Sequence, residues 1–115
     1  MPTYSKLILS GSTNGKGISV AGTATADADV VHAAHATDLD EVWLYASNNG
    51  AAAVKLTIEY GDPDVPDNIE LTIPGEAGLV LVIPGLLLTG SEDIQAFAAT
   101  TAVITIFGYI NRIVA

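Results

Sequence analysis

The chain has 115 residues, no cysteine, and 13 acidic residues against four basic ones for a net charge of -9. That composition excludes a disulfide scaffold and thiol chemistry, and it lacks the clustered Lys and Arg of nucleic-acid or anionic-membrane binding. Half of the residues are apolar and only 15% are charged, against about a quarter in ordinary globular chains, so part of the apolar surface is expected to be covered by something other than water.

The length predicts a single domain over 1–115 that buries a core without metal or disulfide staples. Residues 1–4 are expected to be a flexible lead-in, and "MPTYSKLILSGS" lacks the apolar h-region of a secretory signal. "SKLILSG" (5–11) reads as a strand and "STNGKG" (12–17) as a turn around Asn14-Gly15. "ISVAGTAT" (18–25) is a second strand, bulged at Gly22. In "ADADVVHAAHATDLD" (26–40), Val30 and Val31 outweigh the helix-favouring alanines and predict a short extended piece between loops.

"EVWLYASNNGAAAVKLTIEYG" (41–61) alternates cleanly. Val42, Leu44 and Ala46 share one face, with Trp43 and Tyr45 on the other; Val54, Leu56, Ile58 and Tyr60 then alternate with Lys55, Thr57 and Glu59. This predicts a hairpin with one dry and one wet face. "DPDVPD" (62–67) is a loop, and "NIELTIP" (68–74) is a strand with Ile69, Leu71 and Ile73 inward.

"LVLVIPGLLL" (79–88) does not alternate. Flanking glycines and acids and the central Pro84 rule out a membrane helix, which needs about 20 apolar residues in a row, and the chain is expected to be soluble. Residues 79–83 are predicted to be a strand buried on both faces, with Pro84-Gly85 turning the chain into a new piece at 86–88. Because sandwich strands ordinarily keep one face in water, the second face is assigned to a subunit interface formed by Leu79, Leu81, Ile83, Leu86 and Leu88. "DIQAFAAT" (93–100) and "AVITIFGYI" (102–110) complete the strands, and "NRIVA" is expected to pack against something. About eight short strands without an amphipathic helix define an all-β, antiparallel β-sandwich or jelly roll.

Few residues carry chemistry. His32 and His35 share a face only on a helix, and no third metal ligand has a fitting spacing. Asp62, Asp64 and Asp67 are calcium-type ligands, but the order of an EF-hand loop fails, which leaves a solvated acidic loop. No nucleophile elbow or phosphate-binding loop is present, so neither an enzyme nor a cofactor is expected. Trp43 and Tyr45, side by side, form a possible ligand platform for sugar stacking.

The run from "LDEVWLYASNNGAAAVKLTIEYG" through "LVLVIPGLLL" to "AFAATTAVITIFGYINRI" resembles small proteins of tailed-phage structural gene clusters, above all head decoration, or cement, proteins. The resemblance implies a homotrimer made in the host cytoplasm and carried on the outer capsid surface of the virion. Its partner would be the major capsid protein, met through a chain terminus or the 26–40 segment, with the N-terminal residues favoured. The alternative expectation is a carbohydrate-binding β-sandwich of a phage tail or fibre, using Trp43 and Tyr45.

Overall fold

Among the described residues the alternating apolar positions become nine strands. The computed structural model describes residues 2–114. The strands are β1 (Thr3–Ile8), β2 (Ile18–Ser19), β3 (Asp29–Ala33), β4 (Leu39–Asn48), β5 (Val54–Gly61), β6 (Asn68–Ile73), β7 (Val80–Leu88), β8 (Asp93–Ala98) and β9 (Ile104–Val114), with 3-10 turns at Thr25–Asp27 and Val65–Asp67.

All pairings are antiparallel. The first sheet runs β1-β9-β4-β7, with β2 also on β9, and the second runs β3-β8-β5-β6. Leaving aside the two-residue β2, strands equidistant from the β5–β6 connection pair with each other: β5 with β6, β4 with β7, β3 with β8 and β1 with β9. The chain is one long hairpin folded over into two facing sheets. That winding is the jelly-roll form of the β-sandwich.

Between the sheets, Val42, Leu44, Ala46, Ile83, Ile104, Ile106 and Ile110 of the first meet Val31, Val54, Leu56, Ile58, Ile73, Ile94, Ala96 and Ala98 of the second. These positions follow the period-2 pattern of each strand, and each fully buried aliphatic side chain stabilises by about 1.5–3 kcal/mol before the chain entropy is charged. Gly108 interrupts the apolar row of β9 because a Cβ there would collide with the Trp43 carbonyl oxygen on β4.

Three expectations are corrected. Residues 41–61 are not a hairpin. β4 is hydrogen-bonded on both sides, by β7 and β9, which leaves it no edge for β5, so the chain crosses at 49–53 to the other sheet. Nor is the outer face of β5 simply wet, since Thr57 and Glu59 are buried. Pro84-Gly85 is no turn: β7 runs through it, and the register against β4 shifts there between Val42 and Trp43. Gly85 takes φ +88 at that shift, with the Trp43 indole beside the place where a Cβ would sit. β7 is an edge strand with one face on the core, where Ile83 is buried, while on the other face Leu81 and Leu87, opposite Tyr45 and Glu41, are exposed within the single chain.

At the chain ends, Thr3 and Tyr4 already belong to β1, paired with Val114 and Ile113 of β9. The apolar C-terminal run is thus a sheet strand. Met1 lies outside the described residues.

In urea titration, Ile83→Ala should lose about 2–5 kcal/mol of stability, the cost of truncating a core side chain. Gly85→Ala should lose about 1 kcal/mol or more, because its positive φ disfavours a Cβ. An Ile83→Ala variant as stable as the parent would mean that this side chain is not part of the core.

Candidate functional site

The outer face of the first sheet is built by register. Trp43 and Tyr45 of β4 stand opposite Tyr109 and Phe107 of β9, and Ile8 of β1 stands opposite Tyr109. With Tyr4 at the β1 end, five of the chain's seven aromatic residues lie on this face. The Trp43 and Tyr109 rings stack with centroids 6.2 Å apart and planes 9° apart, within the range of favourable offset pairs. Trp43 Nε1 donates to Glu41 Oε1 at 2.9 Å, and Lys6 Nζ lies 5.5 Å from the Tyr109 ring centre, close enough for a cation–π contact. The expected pair Trp43 and Tyr45 is therefore part of a wider aromatic surface. Its other members, Phe107 and Tyr109, lie some 60 residues away, and only the β4–β9 register brings them in.

β7 extends this surface to a free edge. Leu79 is 61% exposed, Leu81 47%, Leu86 43% and Leu87 52%. Of the five residues expected at an interface, Leu79, Leu81 and Leu86 are thus on the surface. Ile83 points into the core at 1% exposure and Leu88 packs partly against it; Leu87, outside that set, joins the exposed group. No charged residue occurs from Ala77 to Ser91. Edge strands are normally blunted by charge, Pro or a covering element; here only Pro84 and the neighbouring bulge serve.

The acidic "DLDE" stretch (38–41) contains the most deeply buried charge. Asp40 is fully buried. Its Oδ1 accepts from Arg112 Nε at 2.7 Å, and its Oδ2 accepts from Arg112 Nη2 at 3.0 Å, the His35 backbone N–H at 3.3 Å and His32 Nε2 at 2.8 Å. His32 Nδ1 accepts the Ser10 backbone N–H at 3.1 Å, which leaves the ring proton on Nε2 for Asp40. Ser10, His32 and Asp40 have the composition of a catalytic triad but not its geometry. The nitrogen facing Ser10 is taken by main chain, and Ser10 Oγ itself accepts the Ala33 N–H at 2.7 Å. The group is a lock between the sheets.

Burial pushes the Asp40 carboxyl up, but the hydrogen bonds and charges of Arg112 and His32 outweigh it and hold it below its ordinary 3.8. Tyr60, with a buried hydroxyl that has no hydrogen-bond partner among the described residues, is pushed up to about 12, first by burial and then by the Asp40 charge.

The remaining candidates separate. His35 lies past the end of β3, where its Nδ1 accepts the backbone N–H groups of Thr37 and Asp38, so it does not join His32 in a metal pair. In the 62–67 loop, Asp62 Oδ1 accepts the Asp64 N–H, and Asp67 is pushed up first by its hydrogen bond to Asp62 and then by that carboxylate's charge. Asp27 and Asp29 accept backbone N–H groups of residues 21–24. No three His, Asp or Glu side chains among the described residues converge as a metal cluster as they stand.

The fold and its surfaces define a jelly-roll β-sandwich with an aromatic outer face and an uncharged apolar edge. No protein-family model, curated protein or solved structure matches the chain.

Asp40→Ala should cost about 3–5 kcal/mol at neutral pH, the cost of leaving buried partners unpaired. Because the folded carboxyl titrates below 3.8, its stabilisation is complete above that pH and is lost as pH falls through the folded value. Acid titrations of stability should therefore show a limb below pH 3.8 that Asp40→Asn removes. Tyr60 behaves oppositely: its contribution is present below pH 10 and lost as pH rises through about 12. Tyr60→Phe should weaken that alkaline limb and leave neutral stability unchanged or higher, since the hydroxyl it removes has no partner.

Proposed function

We propose that the chain is a structural virion protein, a homotrimeric decoration protein that attaches to the major capsid protein on the outside of a phage head and braces the shell. The observation that carries this reading is the uncharged β7 edge with exposed Leu79, Leu81, Leu86 and Leu87, contiguous with the aromatic face of the first sheet. An apolar edge of this kind is a template for pairing with another chain, and a low-charge chain is suited to permanent assembly. The interface is formed by Leu79, Leu81, Leu86 and Leu87; Leu88 borders it, and Ile83 supports it from the core.

The first strand lies at the opposite edge, where β1 borders the sheet and Thr3 pairs with Val114 of β9. Self-association through β7 therefore leaves the β1 edge free for a capsid. A net charge of -9 keeps many copies soluble and apart on a crowded lattice.

A second reading has its own observation. The stacked Trp43 and Tyr109, flanked by Glu41 and Lys6, resemble a sugar-stacking platform with polar groups at its rim. Jelly rolls serve both as viral capsid and as lectin domains, and fold alone does not choose between them.

Light scattering across dilutions should give a trimer for the parent chain and a folded monomer for Leu81→Asp. The parent should bind purified phage heads in saturable stoichiometry, and the variant should bind far more weakly. A parent that stays monomeric and ignores capsids, yet binds glycans in a way that Trp43→Ala abolishes, would replace this reading with the second.

A further inference from the structure

The outer face of the second sheet holds a buried carboxylate with one oxygen left unpartnered among the described residues. Glu59 lies in β5, opposite Gln95 of β8 and Asn68 of β6, and is only 1% exposed. Its Oε2 accepts from Thr25 Oγ1 at 2.8 Å, which anchors the carboxylate beneath the 3-10 turn. Its Oε1 is shielded from solvent and has no hydrogen-bond partner among the described residues, and the same is true of Asn68 Oδ1 on the neighbouring strand. A buried acceptor without a partner is costly, and more so when it is charged.

Glu59 forms one wall of a pocket of about 200 Å³ whose other oxygen-bearing side chains include Asp62, Glu92, Asp93 and Gln95. The sheet explains this grouping. Glu59 pairs with Gln95 and Gly61 with Asp93, so these four positions form one outward tray, and Gly61 adds no side chain to fill it. The segments at 62–63 and 91–92 make the rim. No basic side chain lines the pocket: Lys55 pairs with Glu70 and Arg112 with Asp40.

We propose that this pocket is a calcium site, with Glu59 as the buried anchor and Asp93 and Asp62 closing over the ion from the rim. Its donors are all hard oxygens, carboxylate and amide, without nitrogen or sulfur, which is the calcium set. The rim belongs to loops, which suits the variable coordination of calcium better than the strict octahedron of magnesium. The acidic side chains do not converge as they stand, so binding draws in the exposed Asp93 and Asp62 by rotamer change, and Asp62 gives up its contacts with the Asp64 N–H and Asp67 to do so. Glu59 already lines the pocket. The ion would supply the missing partner of Glu59 Oε1 and relieve repulsion among the carboxylates around it.

The test is isothermal titration of the full chain with calcium chloride in chelator-treated buffer, beside Glu59→Gln, Asp93→Asn and a control, Glu70→Gln. Expected is one calcium per chain with an affinity of roughly 10⁻⁵–10⁻³ M, weakened at least about tenfold in Glu59→Gln and Asp93→Asn and unchanged in Glu70→Gln. Magnesium chloride should bind more weakly and should not displace calcium at equal concentration. Glu59→Gln keeps an oxygen for Thr25; should it nevertheless misfold, the exposed Asp93→Asn decides. The proposal is overturned by the absence of saturable binding at millimolar calcium, by equal binding of magnesium, or by folded variants that bind as well as the parent. Oligomeric state and capsid binding are not read in this experiment, so its outcome is separate from that of the assembly reading.

Discussion

The Asp40 carboxylate is the constraint around which one end of the sandwich is organised. It is buried, it is charged, and it is tolerable only because Arg112, His32 and the His35 backbone all reach it. Asp40 and Arg112 are direct cross-strand partners in β4 and β9, so the pair pins the register of the two longest strands. A slip of one residue would turn every inward side chain of β4 outward and would strand the carboxylate without its guanidinium. His32 then carries the tie across to β3 in the second sheet, and Ser10 fastens the chain after β1 to the same ring. A buried ion pair of this kind is poor evidence of added stability over an apolar replacement. Its contribution here is to specify which strands meet and in what alignment.

That alignment produces the surfaces. Once β4 is held between β9 and β7, Trp43 and Tyr45 stand in one field with Tyr109 and Phe107, and the leucines of β7 fall at the sheet edge. The Pro84-Gly85 irregularity shifts the phase of β7 midway along the strand, so an unbroken apolar stretch presents Ile83 to the core and Leu81 and Leu87 to the outside. The mixed orientation explains why this segment has no clean period. The second sheet differs in character: its outer face is partly roofed by the 3-10 turn at Thr25–Asp27 and carries the acidic pocket instead of an apolar field. The two faces of the molecule are thus chemically distinct, one apolar and aromatic, the other carboxylate-rich.

Much of this could be read in the residues themselves. Alternation in 41–46, 54–60 and 68–73 identified the strands and which side chains point inward, because a two-residue period requires no knowledge of neighbours. Composition excluded thiol chemistry, and the lack of helical periodicity led to an all-β sandwich. Alternation says nothing about pairing, however. Residues 41–61 look the same whether β4 and β5 form a hairpin or lie in opposite sheets, and only the occupancy of both edges of β4 decides it. Acidic residues were equally opaque: Asp40, Glu59 and Asp62 look alike in a sequence, although one is a structural hub, one a buried and half-partnered carboxylate, and one a loop residue.

The sequence by itself determined the class of fold, the inward faces of the strands and the surplus of apolar residues, since local period and composition are properties of the chain alone. The tertiary structure decided which strands are neighbours, which leucines reach the surface and which carboxylates lose their water. Those outcomes depend on contacts between residues far apart in the chain, such as Thr25 with Glu59 and Asp40 with Arg112. Such contacts arise from the packing of two sheets against each other, and no local pattern encodes them.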